Sequence, residues 1–315
     1  MKKLNNKGFA ISTMLYGLLI IILLVVAMIL STMTFSRKNS REFTEKIVDE
    51  LEQTKPICKR ATRLHTETCN SKRNTGCLAV GILRGQVITY GNQTVTNGEL
   101  KTGDAFDCDV NGDGTYSSTN ERFYYVTDMD EYTAVLIYYS NVLSGNPNEI
   151  ATFTYASTGI NYNGPTTAKI QLPKTSQWFN ISLKNNMRSI KNEDSGTTTG
   201  IEDLTSPMSL IDNFNYSNYS TRLLTKQEIE KATNLTTGDL TVGELKDFNY
   251  LFEKTSYSDS TLVRGYWLET VSSKYSNMAW NVFSDNVQVG AHYVTISDGY
   301  GVRPVIEVAK SRISY

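Results

Sequence analysis

The chain has 315 residues, 32 acidic against 31 basic side chains and a net charge of -1, room for an anchor plus one large domain or two small ones. Charge this balanced supplies no field for a nucleic acid partner. Two histidines, His65 and His292, against 19 tyrosines argue against histidine-rich metal catalysis and leave open a single catalytic histidine or an oxygen-ligand site.

Lys2, Lys3 and Lys7 precede an uncharged stretch over residues 8–36 that contains LLIIILLVVAMIL. A helix needs about 20 apolar residues to cross about 30 Å of hydrocarbon, and this run exceeds that. A secretory signal would have a shorter core with a small-x-small cleavage site behind it. Instead the chain continues as RKNSREFTEKIVDELEQ, where Phe43, Ile47 and Leu51 recur every four residues, one apolar stripe on a helix. The sequence predicts a single helix over about residues 9–53, about 65–70 Å long at about 1.5 Å per residue. Its first half is transmembrane and its second an amphipathic stalk. Arg37, Lys38 and Arg41 follow the span as the lysines precede it, so the positive-inside rule barely decides orientation. The cysteines say more: all lie beyond the anchor and close together, as in an exported, disulfide-bonded segment. The expected location is the cell membrane, single-pass, with the C-terminal domain extracellular.

The opening KGFAISTMLYGLLIIILLVV resembles a type IV prepilin leader and helix, in which a short basic leader ends in Gly and the mature chain begins with Phe. Lys7, Gly8 and Phe9 match that junction, and the resemblance covers about the first 50 residues. It implies a leader (residues 1–8) cut between Gly8 and Phe9, and a helix that meets the lipid bilayer and other pilin-like subunits. One position departs. The family usually carries Glu at the fifth mature residue, and this chain has Thr13. An unpartnered Glu in a membrane is costly, so its absence suits a plain anchor as well as a minor, tip-located pilin.

Residues 54–100 read as a neck. TKPICKRATRLHTETCNSKRNTGC is polar and has no apolar period. Cys58, Cys69, Cys77 and Cys108 allow three disulfide pairings, and spacing does not choose among them. Zinc would recruit His65, but no C-x2-C pair is present; disulfides, free thiols and zinc all stay open.

From Leu78 onward the text turns β-rich. In RFYYVTDMDEYTAVLIYYSN two β-branched and aromatic runs, residues 123–127 and 133–139, flank DMDE as a hairpin. Residues 145–164 read as loop, and residues 185–220 as a long Asn/Ser/Thr/Gly-rich connection of the kind that is usually functional or mobile. Thr225 can cap a helix, with Glu228 at the capping-box position.

The last hundred residues carry a second resemblance. RLLTKQEIEKA, YWLETVSS, AWNVFSDNVQVG and DGYGVRPVIEV are similar, in that order, to elements of formylglycine-generating-type domains, a bacterial version of the C-type-lectin-like fold. The likeness covers about residues 103–308. It implies a head (residues 101–315) that displays loops for binding. Enzymes of that family use a reactive cysteine pair in the C-terminal part. The last cysteine here is Cys108, so that chemistry has no nucleophile. The expected fold class is α+β: a long N-terminal membrane helix followed by a mixed, β-rich, C-type-lectin-like head.

Within the head, Asp109, Asn111 and Asp113 alternate with Val110 and Gly112 before Gly114, the first half of a calcium loop with oxygen ligands at positions one, three and five. Thr115 would add its carbonyl. Position twelve is Asn120, and Glu121 stands one residue late; a plain Asp/Asn/Gly turn explains the same residues. No cofactor is expected in the head unless this loop holds calcium. Tyr216 and Tyr219 in NFNYSNYS, with Tyr293 and Tyr300, are candidates to meet a protein or carbohydrate ligand. Trp267 reads as core, and Arg303 as a structural ion pair. No G-x-S-x-G, H-E-x-x-H or P-loop occurs, so no catalytic residue is assigned. The expectation is a pilin-like, membrane-anchored bacterial surface protein with a ligand-binding or adhesive head. A structural filament subunit without its own ligand and a surface enzyme of unrecognised type are the alternatives.

Overall fold

The computed structural model describes residues 14–26, 28, 33, 55–61, 87–90, 93–96, 99–188, 213–235, 243–273 and 275–315. They divide into two compact units, Met1–Lys55 and Pro56–Tyr315.

In the first unit residues 14–26 are helical and exposed. Residues 28 and 33 are helical and exposed as well. Among the described residues no helix is long and apolar enough to cross a membrane. This corrects the α+β class with its long N-terminal membrane helix, and with it the prepilin-type membrane anchor and the single-pass cell-membrane location. Apolar composition marks the residues eligible for a span; it does not by itself form one. The Gly8–Phe9 junction and the stripe of Phe43, Ile47 and Leu51 lie outside the described residues.

The second unit is mostly β. Its first eight strands are β1 (Cys58–Arg60), β2 (Val87–Tyr90), β3 (Gln93–Thr96), β4 (Ala105–Cys108), β5 (Arg122–Asp128), β6 (Thr133–Tyr138), β7 (Val142–Leu143) and β8 (Asn146–Pro147). Then come β9 (Met187–Arg188), β10 (Phe214–Asn215), helix α1 (Lys226–Thr233), β11 (Gly265–Val271), β12 (Met278–Phe283), β13 (Gln288–Tyr293), β14 (Tyr300–Gly301), β15 (Val305–Ala309) and β16 (Ile313–Ser314). Six of these form a main sheet in the order β15-β6-β5-β4-β1-β16, and four a second sheet, β13-β12-β11-β14. Residues 58–60, placed by the sequence in the neck, are therefore a strand of the main sheet. It runs antiparallel to β4 and parallel to β16.

β5 and β6 form the expected hairpin across DMDE, paired from Phe123 with Tyr138 to Asp128 with Ala134. Their sequences, RFYYVTD and TAVLIY, are rich in the branched and aromatic residues that fit a pleated surface. Successive side chains point to opposite faces. Phe123, Tyr125, Leu136 and Tyr138 enter one core cluster, and Tyr124, Val126, Val135 and Ile137 enter another. Both faces of the sheet are thus covered. The first cluster includes Trp178 and Trp267, the second Trp280 and, from α1, Ile229. Trp267 is fully buried, as its apolar strand implies.

Helix α1 starts where the sequence places it. The Thr225 hydroxyl accepts the Glu228 N–H (3.1 Å), and Glu228 Oε2 accepts the Thr225 N–H (2.9 Å), so two donors that the first turn leaves without helical partners are satisfied reciprocally. Asn234, in the left-handed region, ends the helix. Thr225→Ala removes one half of this box and is expected to cost about 1 kcal/mol, read as a lower urea midpoint at unchanged slope.

Candidate functional site

Residues 109–121 form the loop between β4 and β5. Its base is clamped. Arg122 Nε donates to Asp107 Oδ1 (2.6 Å) from the opposed position on the neighbouring strand, and the Cys108 N–H donates to the Glu121 carbonyl (2.9 Å). β4 is in turn bonded to β1 by the Cys58–Cys108 disulfide, whose two residues face each other across the ladder and are fully buried. Of the three pairings the sequence left open, this one is formed by the described cysteines; Cys69 and Cys77 lie outside the described residues.

Inside the loop, Gly112 and Gly114 take φ of 70° and 81°, a region that residues with a Cβ rarely enter. At Gly112 a Cβ would also stand 2.5 Å from the Phe179 ring. These two bends fold the Asp109–Thr115 stretch back on itself. The Asp113 N–H donates to Asn111 Oδ1 (3.0 Å), and Asn111 Nδ2 donates to Asp113 Oδ2 (3.1 Å). The Thr115 N–H and hydroxyl both donate to Asp113 Oδ1 (2.7 and 2.6 Å). Those two bonds hold the Asp113 carboxyl below the usual carboxylate range. Gly114 N–H donates to Asp109 Oδ2 (3.1 Å), and Asn180 Nδ2 ties the Asp109 carbonyl from outside the loop (2.6 Å). The turn expected of these residues is therefore real, and Asn111 and Thr115 serve it by orienting Asp113.

The turn does not account for the rest. Asp109, Asp113 and Glu121 each bring a carboxylate oxygen within 4.8 Å of the others. Asp109 is 4% and Glu121 3% exposed, and Asp109 Oδ1 and Glu121 Oε1 are buried without a hydrogen-bond partner among the described residues. An unsatisfied buried charged group is expensive. Burial first, and then the Asp113 and Asp109 charges, push the Glu121 carboxyl above its ordinary value, against the Ser117 N–H that Oε2 accepts (2.9 Å). The nearby Val110 N–H, which also eases that charge, is committed to the Cys108 carbonyl (2.8 Å). Two oxygens on opposite sides of a calcium ion, each at about 2.3–2.6 Å, stand up to about 5 Å apart, whereas magnesium at about 2.0–2.1 Å draws them closer. Asp109 and Asp113 are two of the carboxylates that the sequence spacing singled out. Glu121 was not among them, because counting positions put it one residue late. The bend at residues 117–120 absorbs that residue, and Glu121 supplies the buried carboxylate that Asn120 cannot.

The tyrosine candidates part ways. Tyr216 is fully buried, and its hydroxyl donates to Glu269 Oε2 (2.9 Å); Arg188 Nε meets Oε1 of the same carboxylate (2.7 Å). Tyr300, 3% exposed, packs between Trp267 and His292, with ring centroids 4.9 and 5.1 Å away. Tyr219 is half-buried with its ring perpendicular to that of Tyr216. Tyr293 is 51% exposed and presents its ring to solvent. The nearby His292 Nδ1 meets Asn281 Nδ2 (2.8 Å), and burial lowers the pKa of the ring. Arg303, expected in an ion pair, instead donates to three carbonyls, those of Tyr138, Leu251 and Tyr250. No protein-family model, curated protein or solved structure matches this chain.

Proposed function

We propose that the Pro56–Tyr315 unit is a calcium-binding, disulfide-pinned β-rich domain that acts by binding a ligand rather than by catalysis. The observation that carries this reading is the convergence of Asp109, Asp113 and Glu121 within 4.8 Å, two of them buried with an oxygen that has no hydrogen-bond partner among the described residues. A hard divalent cation answers both problems at once: it cancels the mutual repulsion and coordinates the orphan oxygens. An all-oxygen donor set selects calcium, magnesium or manganese over softer metals, and oxygens within 4.8 Å of one another leave room for the largest of these.

Three further features support a binding role. A buried disulfide suits an oxidising compartment. Cys58 and Cys108 are bonded to each other, so among the described residues no free thiol offers a nucleophile. The segments that resemble a C-type-lectin-like domain fall on β11, on the β12–β13 hairpin and on β14–β15, an order in keeping with a domain that displays loops. Tyr257 and Tyr293, 53% and 51% exposed, are of the residue type that anchors protein and carbohydrate ligands.

Calorimetric titration of the full chain, stripped with chelator, tests the reading. Calcium is expected to bind with Kd of about 10⁻⁴–10⁻³ M, the range of extracellular modules, and more tightly than magnesium. Glu121→Gln should weaken it at least tenfold. Absence of a calcium heat at ten times the upper end of that range would remove the proposal.

A further inference from the structure

Resting on the calcium reading above, we infer that occupancy of the 109–121 loop fastens β1, the first strand of the unit, to the main sheet. β1 is three residues long and its partner on the outer side, β16, only two. Few ladder bonds therefore hold it, and the groups around it come from the acidic loop. Tyr116 stands in sequence between Asp113 and Glu121, and its hydroxyl donates to the Pro56 carbonyl (2.6 Å). Its ring carries the Lys59 ammonium 3.8 Å from the centroid. On the other side of the carboxylate group, the backbone N–H of Asp109 itself donates to the Ile57 carbonyl (2.8 Å). Two successive carbonyls leading into β1 are thus held by residues whose positions the carboxylate array sets. Cys58 follows directly and is bonded to Cys108, the neighbour of Asp109.

The physical link is mechanical. Freeing residues 56–58 requires Tyr116 and Asp109 to move, and neither can move far while Asp109, Asp113 and Glu121 share one ion. Without the ion, three carboxylates within 4.8 Å repel, and the strain is relieved by opening the loop about Tyr116. An ion bound to the closed loop and not to the open one suppresses opening by the factor 1 + [L]/Kd, about 100-fold at 100 times Kd. Ambient calcium then sets how firmly β1 is seated.

Amide hydrogen exchange on the full, disulfide-bonded chain, with calcium alone as the probe, tests this. At 100 times the calorimetric Kd, exchange over residues 57–60 is expected to slow about 100-fold, while the β12–β13 hairpin changes little. Tyr116→Phe, which removes the bond to Pro56 and no carboxylate, should keep calcium affinity within twofold and lose most of that protection. If calcium binds and exchange at 57–60 is unchanged, or if both regions are protected equally, the fastening is overturned and the calcium site stands. Full protection in Tyr116→Phe overturns the fastening through Tyr116. Failure of calcium to bind at all overturns the site and the fastening together.

Discussion

Replacing Arg222 by Met is expected to destabilise the Pro56–Tyr315 unit by about 3–5 kcal/mol, the loss that follows when one partner of a buried charge network is deleted. Arg222 is fully buried. Its Nη1 donates to Glu228 Oε2 (2.8 Å), its Nη2 to Glu228 Oε1, and its Nε to Glu307 Oε1 (2.7 Å). Burial alone would ease the proton off this guanidinium; the Glu228 and Glu307 charges and the Glu228 hydrogen bonds reverse that and raise its pKa. The same Arg222 charge, after burial acting the other way, keeps the Glu228 carboxyl below its ordinary value. Methionine leaves both carboxylates without their cation. Lysine keeps the charge but has no planar fork to meet two carboxylates at once, so Arg222→Lys should fall between the wild type and Arg222→Met. Adding Glu307→Gln to Arg222→Met should recover part of the loss, because one stranded charge is then gone. Urea unfolding at neutral pH measures all four proteins. A loss under about 1 kcal/mol for Arg222→Met, the size of an exposed pair, would show that the network is not buried in solution.

The second large effect is expected at the disulfide. Cys58 and Cys108 are 50 residues apart in sequence, and a cross-link closing a loop of that length restricts the unfolded chain by about 4 kcal/mol in the chain-entropy account. The double variant Cys58→Ala, Cys108→Ala is expected to lose about that much, with the denaturant midpoint falling by a correspondingly large step. Because both residues are fully buried, the wild-type bridge should resist a mild thiol reductant until denaturant opens the sheet. Alkylation and intact mass report this directly. Rapid reduction in native buffer would mean that β1 leaves the sheet readily, and the loss in the double variant should then be correspondingly small.

How much of this was legible depends on whether an interaction is local in sequence. The β5–β6 hairpin was, because its runs of branched and aromatic residues lie either side of a short polar turn. The capping box was, because Thr225 and Glu228 are three residues apart. Trp267 was, because its neighbours are apolar. Tyr216 sits in a polar Asn/Ser stretch and read as loop surface; it is buried in the core, where the Glu269 carboxylate accepts its hydroxyl from 53 residues away. Arg303 read as half of an ion pair because burial of a guanidinium usually demands a carboxylate. Three backbone carbonyls, all of them more than 50 residues back, do the same work and leave no trace in local composition. The disulfide pairing depends on which strands lie side by side, a property of the whole sheet. At the acidic loop, Asp109 and Asp113 were legible by spacing, while Glu121 needed the bend that precedes it. The long N-terminal membrane helix was read from hydropathy and apolar spacing alone, and among the described residues no helix is long and apolar enough to cross a membrane.

The bridge between Cys58 and Cys108 also changes how the molecule would carry a pulling force. Tension arriving along the chain from the N-terminal side meets Cys58 and has a covalent shortcut through two sulfur atoms to Cys108. The chain between them hangs in parallel with that shortcut and bears no load. Force is delivered to β4, which has β1 on one side and β5 on the other, rather than to the end of a three-residue strand that could peel away one bond at a time. Residues 59–60 and 105–107 of that stretch stay paired in the main sheet without lying on the load path, and the main sheet beyond Cys108 takes the strain.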